Sequence, residues 1–406
     1  MIVTPKTRGF ICTTAHKDGC KANVKRQIDY VKSQPKVENG PKKVLVIGAS
    51  TGYGLASRIS AAFGCGAATI GVIFDKPADR KRTASAGWYN TAAFEEFAAQ
   101  DGLYAKTING DAFSGAVKQQ VIDLIRQDLG QIDLFVYSLA APRRKCDDGT
   151  TYTSVLKTTG ESYTNITVDL ATNTVGEVTV EPATQEEVEA TVKVMGGEDW
   201  SDWVKALSDA GVLAQNAITL AYSYIGPKIT WPIYYNGSIG AAKKDLYQTS
   251  VKLNEQYKDL GLKAYISVNK ALVTQASAAI PVVPLYITIL YKLMKQMGIH
   301  EGCIEQMYRM FAQKLYIPTP EVDEQGQLRL DDWEMRDDVQ SKVEELWDHV
   351  TTENLKEYAD IDGYWEDFYN MFGFHIEGVD YDKDIDIHAK ICLLYTSPSP
   401  RDPKTS

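Results

Sequence analysis

The stretch that decides the fold is Val44-Leu45-Val46-Ile47-Gly48-Ala49-Ser50-Thr51-Gly52-Tyr53-Gly54. Four consecutive apolar residues read as a central parallel strand buried on both faces. The strand runs into glycines at 48, 52 and 54, and a helical pattern from Leu55 to Phe63 follows, with Gly64 placed to cap it. Between a strand and a helix, glycines in this spacing permit a tight turn, close backbone approach to a phosphate, and a helix N-terminus aimed at the anion. A Gly-rich turn without a ligand has the same spacing. The flanking strand and helix favour a nucleotide site.

Working outward, Ala68 to Phe74 forms a second apolar run that ends at Asp75. A carboxylate at the end of the second strand can hold both adenosine ribose hydroxyls and repel a 2′-phosphate, which favours NADH. Arg80, Lys81 and Arg82 follow closely and keep NADPH open as the less favoured cofactor. A third run ends at Asn109-Gly110-Asp111-Ala112, an adenine-side loop, and a helical stretch Val117 to Asp128 leads to a fourth run, Asp133 to Pro142, whose end lines the same cleft. This alternation implies an α/β chain with a Rossmann-type, doubly wound parallel sheet.

Residues 149 to 184 break the alternation: they are rich in Thr and Val and turn at Ala171-Thr172-Asn173-Thr174, as a β-hairpin insertion would. Ala264 to Val268 reads as another buried strand. From Ala271 to Tyr291 the chain carries no formal charge, which by length alone permits a membrane span. Gln275, Ser277, Pro281, Pro284 and Thr288 make it a poor one, so stable membrane insertion is not expected. The region about 271 to 315 is expected instead as a kinked helical lid over the active cleft. A single elaborated domain is expected over residues 1 to 388. Residues 389 to 406 resemble a translated sequencing-adapter run and are expected to be non-native and disordered.

Composition excludes several classes. The net charge of -10 is uneven, because residues 321 to 386 hold 22 acids and 5 bases. The remainder is mildly basic, which suits a polyphosphate ligand, but no basic run with interleaved aromatics points to nucleic acid. The six cysteines lack paired spacing, as expected in a reducing compartment, and the N-terminus lacks the layout of a signal peptide, so the cytoplasm is expected. Cys12, His16 and Cys20 fall one ligand short of a structural zinc site, and no metal is expected.

The chemistry is expected between Ala217 and Leu246, read as strand, loop and helix. Tyr234 and Lys243 lie nine residues apart, about 180° around one continuous helix. The break at Asn236-Gly237 puts Tyr234 on the loop and Lys243 in the first turns of the helix, where both can face one site. An ammonium beside a phenol lowers the phenol pKa and strengthens its hydrogen bond to a developing oxyanion. Two structural tyrosines and a solvated lysine are the plainer explanation of the same residues.

Together with Gly48 to Arg58, the stretches Gly110 to Phe113, Val136 to Ala140, Val194 to Trp200, Ala221 to Pro227, Tyr234 with Lys243, and Ser267 to Thr274 give a chain that resembles the trans-2-enoyl-CoA reductase family, which includes enoyl-acyl-carrier-protein reductases. The resemblance covers roughly residues 1 to 388. It implies NADH-dependent reduction of a trans-2-enoyl thioester, carried by CoA or an acyl-carrier protein, in fatty acid metabolism, and it favours a monomer. It further implies that Gly48, Ala49, Ser50, Thr51, Gly52, Tyr53, Phe74, Asp75, Asp111, Ala112, Leu139, Ala140, Lys243, Leu272, Val273 and Thr274 bind the cofactor. Tyr224 would contact the substrate, and Tyr234 would be the acid in a Tyr-x8-Lys pair. Tyr235 and Lys244 have the same spacing, but the Gly-Ser-Ile-Gly-x-Ala-Lys register favours Tyr234 with Lys243.

Two other readings compete. A ketoreductase would carry Tyr-x3-Lys, a spacing that Tyr224 and Lys228 have, although Gly226-Pro227 breaks the helix such a pair needs. A non-catalytic dinucleotide-binding protein would leave the tyrosine and lysine constellation without a purpose.

Overall fold

In the computed structural model, which describes residues 1–8, 11–274, 277, 280–391 and 393–396, the apolar run forms strand β1 (Lys43–Ile47), followed by β2 (Ala68–Ile73), β3 (Ala105–Asn109) and β4 (Ile132–Tyr137). A hairpin of β5 (Tyr163–Asp169) and β6 (Thr174–Val180) comes next, then β7 (Leu213–Ser223), β8 (Lys263–Val268), β9 (Leu328–Arg329) and β10 (Leu393–Thr396). Apart from the hairpin these strands form one parallel sheet in the order β9-β8-β7-β4-β1-β2-β3-β10. The order reverses between β1 and β4, where Ile47 stands opposite Tyr137, and at such a switch point the C-terminal strand ends open a crevice.

Both faces of the sheet are covered, as the continuous apolar character of β1 requires. Val44 and Val46 point into a core shared with α1 (Lys17–Ser33), α2 (Gly52–Ile59) and α3 (Ala86–Gln100). Leu45 and Ile47 point into a second core with α4 (Gly115–Leu124), α6 (Glu198–Asp209) and α7 (Ser238–Gln256), while α5 (Gln185–Met195) packs on α7. Within the first core, α2 carries a fully buried cation. The Arg58 guanidinium donates to Thr69 Oγ1, Thr107 Oγ1 and the Lys106 carbonyl at 3.2, 3.0 and 2.7 Å and lies 4.4 Å over the Phe94 ring.

The hairpin forms as expected, with Asp169 paired to Thr174 and its Oδ1 accepting from Ala171 N across the turn. The uncharged stretch behaves differently from the expected helix beginning near Ala271. Residues 271 to 274 form an irregular loop, and α8 (Val283–Gln296) begins only where Pro284 can sit in a first helical turn. The lack of charge reflects burial inside protein: Leu285, Tyr286, Ile287, Ile289, Leu290 and Tyr291 are all fully buried. No helix among the described residues is long and apolar enough to cross a membrane. Around α8 pack α10 (Asp337–Trp347) and α11 (Ile361–Asn370), and α9 (Cys303–Arg309) leans on α2, which places a helical cap beside the crevice.

His16 caps α1 by accepting from Gly19 N at 3.1 Å and meets the Tyr381 ring edge-on. Trp88 Nε1 donates to the Ala389 carbonyl at 3.0 Å, and 393–396 pair with β3. An unpaired β3 would expose a row of backbone donors and acceptors, and β10 satisfies it. The remaining tail positions, 392 and 397–406, lie outside the described residues.

Candidate active site

The glycine turn sits at the switch point. Gly48 has φ +76°, and a Cβ there would stand 1.9 Å from the Ser138 carbonyl oxygen. A Cβ on Gly54 would stand 2.0 Å from the Gly48 carbonyl oxygen, so the turn and the helix can pack only as glycines. Helix α2 starts at Gly52, and its N-cap Thr51 makes no side-chain cap bond, which leaves first-turn N–H groups facing the crevice for an anion.

Asp75 follows β2, and Asn109 fixes its backbone by accepting from Asp75 N at 2.9 Å and donating to its carbonyl at 3.0 Å. Ser85 donates to its carboxylate at 2.7 Å and Ser50 adds a second bond. Burial raises the Asp75 pKa and the two serines oppose that shift. A carboxylate offers about four acceptor positions, so capacity remains for ribose hydroxyls. Beside it, Phe74 is 75% exposed, an uncovered ring face at the crevice mouth. Asp111 accepts from Phe113 N, and the neighbouring Ala112 is buried. Leu139 is half-buried and Ala140 exposed just beyond β4. These features fit a dinucleotide.

On the far side of the crevice, Tyr234 sits on a loop of tight turns and Lys243 in the second turn of α7, as the break at Asn236-Gly237 implied. Lys243 Nζ donates to the Tyr222 carbonyl at 2.9 Å, at the end of β7. Burial lowers the Lys243 pKa to about 8. The rings of Tyr224 and Tyr234 meet edge to face at 4.9 Å, and Gly226, with φ +73°, lets the Tyr224 ring fold back over it. Tyr235 and Lys244 instead pair with each other, the ammonium 4.9 Å over the ring and the lysine exposed.

Lys243 was expected to lower the Tyr234 pKa, but burial raises it, because the phenol is 8% exposed and the ammonium is held at the Tyr222 carbonyl. Tyr234 is therefore a protonated hydrogen-bond donor across the neutral range.

Between the two halves, Tyr53 joins the turn to the loop after β8: its hydroxyl donates to the Lys270 carbonyl at 2.8 Å and its ring lies 5.9 Å from Tyr222. That loop carries Leu272, Val273 and Thr274. Tyr291 accepts from Val273 N at 3.0 Å, and Ser277 accepts from Thr274 N at 2.8 Å. Glu334, Lys270, Tyr286 and Gln306 form a buried polar group directly behind, which the sequence reading did not assign. Glu334 lies in an acidic run, Asp331-Asp332-Trp333-Glu334, where no spacing separates the fully buried Asp331 and Glu334 from the half-buried Asp332 or from the exposed Asp337 and Asp338 that follow.

Models of three family regions match in succession: the NAD(P)H binding domain of trans-2-enoyl-CoA reductase over residues 2–80, the trans-2-enoyl-CoA reductase catalytic region over 82–316, and an enoyl reductase FAD binding domain over 322–385. The chain belongs to the trans-2-enoyl-CoA reductase family. It is similar to a trans-2-enoyl-CoA reductase [NADH] of Ruminiclostridium cellulolyticum, 57% identical over 97% of this chain and 100% of that one. An enoyl-[acyl-carrier-protein] reductase [NADH] of Serratia proteamaculans is 56% identical over 97% of this chain and 99% of its own. Among solved structures, the Clostridium acetobutulicum trans-2-enoyl-CoA reductase in complex with NADH matches with a TM-score of 0.92 at 48% identity, covering 95% of this chain and 98% of that one. The Treponema denticola trans-2-enoyl-CoA reductase in complex with NAD matches at 0.91 and 48%, covering 96% of this chain and 100% of that one.

Residues 322–385 do not fit a flavin. Tyr364, Phe368 and Phe374 are fully buried in the core, and Asp331 and Glu334 are fully buried within the fold. Gly363 and Gly373 are closed by Asp360 and by the backbone at His16 and Cys20. In this member of the family the segment is a packed helical cap.

Proposed function

We propose that the chain reduces the carbon-carbon double bond of trans-2-enoyl thioesters with NADH as an enzyme of fatty acid metabolism. The observation that carries this reading is the convergence, at the ends of the adjacent strands β1, β4 and β7, of an uncapped glycine-turn helix with two edge-to-face tyrosines and a desolvated lysine. NADH, when bound, supplies hydride to the β-carbon. Negative charge then gathers on the thioester oxygen as an enolate, and a proton delivered to the α-carbon completes the saturated thioester. Tyr234 and Tyr224 donate hydrogen bonds to that oxygen, and Tyr234 does so as a neutral phenol. Lys243, anchored at the Tyr222 carbonyl, keeps a positive charge near the nicotinamide ribose and the growing oxyanion.

The turn 48–53 holds the pyrophosphate, Phe74 and Asp75 the adenosine, Asp111 and Ala112 the adenine side, and Leu139, Ala140 and Leu272 to Thr274 the nicotinamide side. Cysteines without paired spacing support a cytoplasmic location.

Purified protein mixed with NADH and crotonyl-CoA, a long-chain trans-2-enoyl-CoA, or an enoyl-acyl-carrier protein is expected to oxidise NADH with at least one of them. NADH binding without turnover on any of the three would overturn the reading in favour of a non-catalytic dinucleotide-binding protein. Asp75→Ser is expected to weaken NADH by about 10- to 100-fold, the value of charge-assisted hydrogen bonds of about 1.5–3 kcal/mol. It should also narrow the preference over NADPH, since the charge that repels a 2′-phosphate is gone. Parallel KM measurements with both cofactors check this, and an unchanged ratio would remove Asp75 from cofactor selection.

A further inference from the structure

Behind Tyr224 lies a carboxyl group with no role so far. Glu334 is fully buried, and three hydrogen-bonding groups converge on it. Ala271 N donates to Oε2 at 2.8 Å, Tyr286 Oη lies 2.6 Å from Oε1, and Tyr224 Oη lies 3.1 Å from the same oxygen. The segment that carries Glu334 is clamped from α9: Arg309 bonds both Glu301 oxygens at 2.7 Å, donates to the Leu330 carbonyl at 2.9 Å and stacks 4.3 Å over Trp333. The carboxyl is thus held against the back of the substrate tyrosine and against the backbone of the loop after β8.

A count of hydrogens decides what this carboxyl does. A phenol has one proton to donate. Gln340 Nε2 donates to Tyr286 Oη at 3.2 Å, so the Tyr286 proton points at Glu334 Oε1. With Glu334 ionised, Tyr224 also points its proton at Oε1 and presents only lone pairs to the cleft, where an oxyanion would be repelled. With Glu334 protonated on Oε1, the carboxyl donates to Tyr224 Oη while still accepting from Tyr286, and Oε2 remains the acceptor for Ala271 N. The Tyr224 proton then turns toward Tyr234 and the substrate.

We propose that Glu334 is a positioning residue whose neutral carboxyl donates to Tyr224 and thereby orients the Tyr224 hydroxyl hydrogen onto the thioester oxygen. No bond is made or broken in this step; it sets the direction of two hydrogen bonds. The role rests on Tyr224 contacting the substrate, as in the proposed function. The surroundings agree with it: burial pushes Glu334 up to about 7, against the opposing pull of Lys270. The titratable groups facing it are Lys270 from the loop after β8, Tyr224 from the end of β7, Tyr286 from α8 and Asp331 from its own segment, with Tyr53 of α2 beyond Lys270.

The test is the pH profile of kcat/KM at saturating NADH, from about pH 5.5 to about pH 9. The substrate is crotonyl-N-acetylcysteamine, which has no group that ionises in that range. Wild-type activity is expected to fall as pH rises through about 7. Glu334→Gln, whose amide donates to Tyr224 and accepts from Ala271 N at every pH, should lack this limb. The ratio of Glu334→Gln to wild type should therefore climb about tenfold per pH unit above the midpoint, while any limb from Lys243 cancels. A constant ratio overturns the proposal.

Tyr224→Phe guards against a Gln variant that fails to fold. It keeps Glu334 but has no hydroxyl to orient, so the ratio of its lowered activity to wild type should also climb with pH above the midpoint, any limb from Lys243 cancelling, and a constant ratio overturns the proposal. Infrared spectra of the free protein give a readout independent of turnover. A carboxylic-acid carbonyl band should be present near pH 6 in wild type, fade with rising pH and be missing in Glu334→Gln. Its absence in wild type overturns the positioning role even if the enzyme is active, whereas its presence in a protein with no enoyl reduction would count against the proposed function alone.

Discussion

Tyr234→Phe is expected to lower turnover with crotonyl-CoA by about 10² to 10³-fold, the usual loss when one donor to a developing oxyanion is removed. The substitution keeps the ring, so the edge-to-face contact with Tyr224 at 4.9 Å and the burial of the loop between Thr230 and Gly237 should persist. Lys243 retains its bond to the Tyr222 carbonyl. NADH affinity should then change by no more than about twofold. Steady-state kcat beside a fluorescence titration of NADH separates the two quantities. Full turnover in the variant would mean that the oxyanion is stabilised elsewhere.

The second large effect concerns a pair of glycines that look alike in sequence and differ in space. At Gly48 an added methyl would lie 1.9 Å from the backbone carbonyl oxygen of Ser138, the residue just after β4, on a backbone with φ +76°. Gly48→Ala must push β1 and β4 apart at the switch point, so both thermal stability and NADH binding should collapse. At Gly52 nothing lies within 4 Å of the added methyl, and only the φ of +53° is unfavourable. Gly52→Ala should cost about 1–2 kcal/mol of stability and leave a folded protein, and, with the pyrophosphate on the turn 48–53 as proposed, its methyl should weaken NADH. Thermal melts with and without NADH read this contrast; equal losses of stability at the two positions would refute the packing argument.

The glycine turn was legible because its constraint is local: no other residue type tolerates that backbone and that proximity. The hairpin at 163–180 and the loop placement of Tyr234 were legible for the same reason, from short-range turn chemistry. Other features depend on which elements meet. The lid was expected to begin near Ala271, yet residues 271–274 are a loop held by Glu334, Tyr291 and Ser277, three partners distant in the chain or hidden in composition. The direction of the Tyr234 shift was misread because spacing gives proximity without burial. Glu334 was overlooked because composition averages the fully buried carboxyls of Asp331 and Glu334 with the exposed ones of Asp337 and Asp338.

Arg58 bears on how this dinucleotide site can be engineered. Its guanidinium fills the space beside Gly71, where a Cβ would come within 2.5 Å of it, and it relies on Thr69, Lys106, Thr107 and Phe94 for acceptors and a ring. The turn and helix are therefore not a transplantable module. A chimera that moved residues 48–64 into another parallel-sheet scaffold would import a buried cation stripped of its partners, a defect of about 3–5 kcal/mol. A working graft has to carry the second and third strands and the helix between them, so the natural unit of exchange is the first half of the sheet.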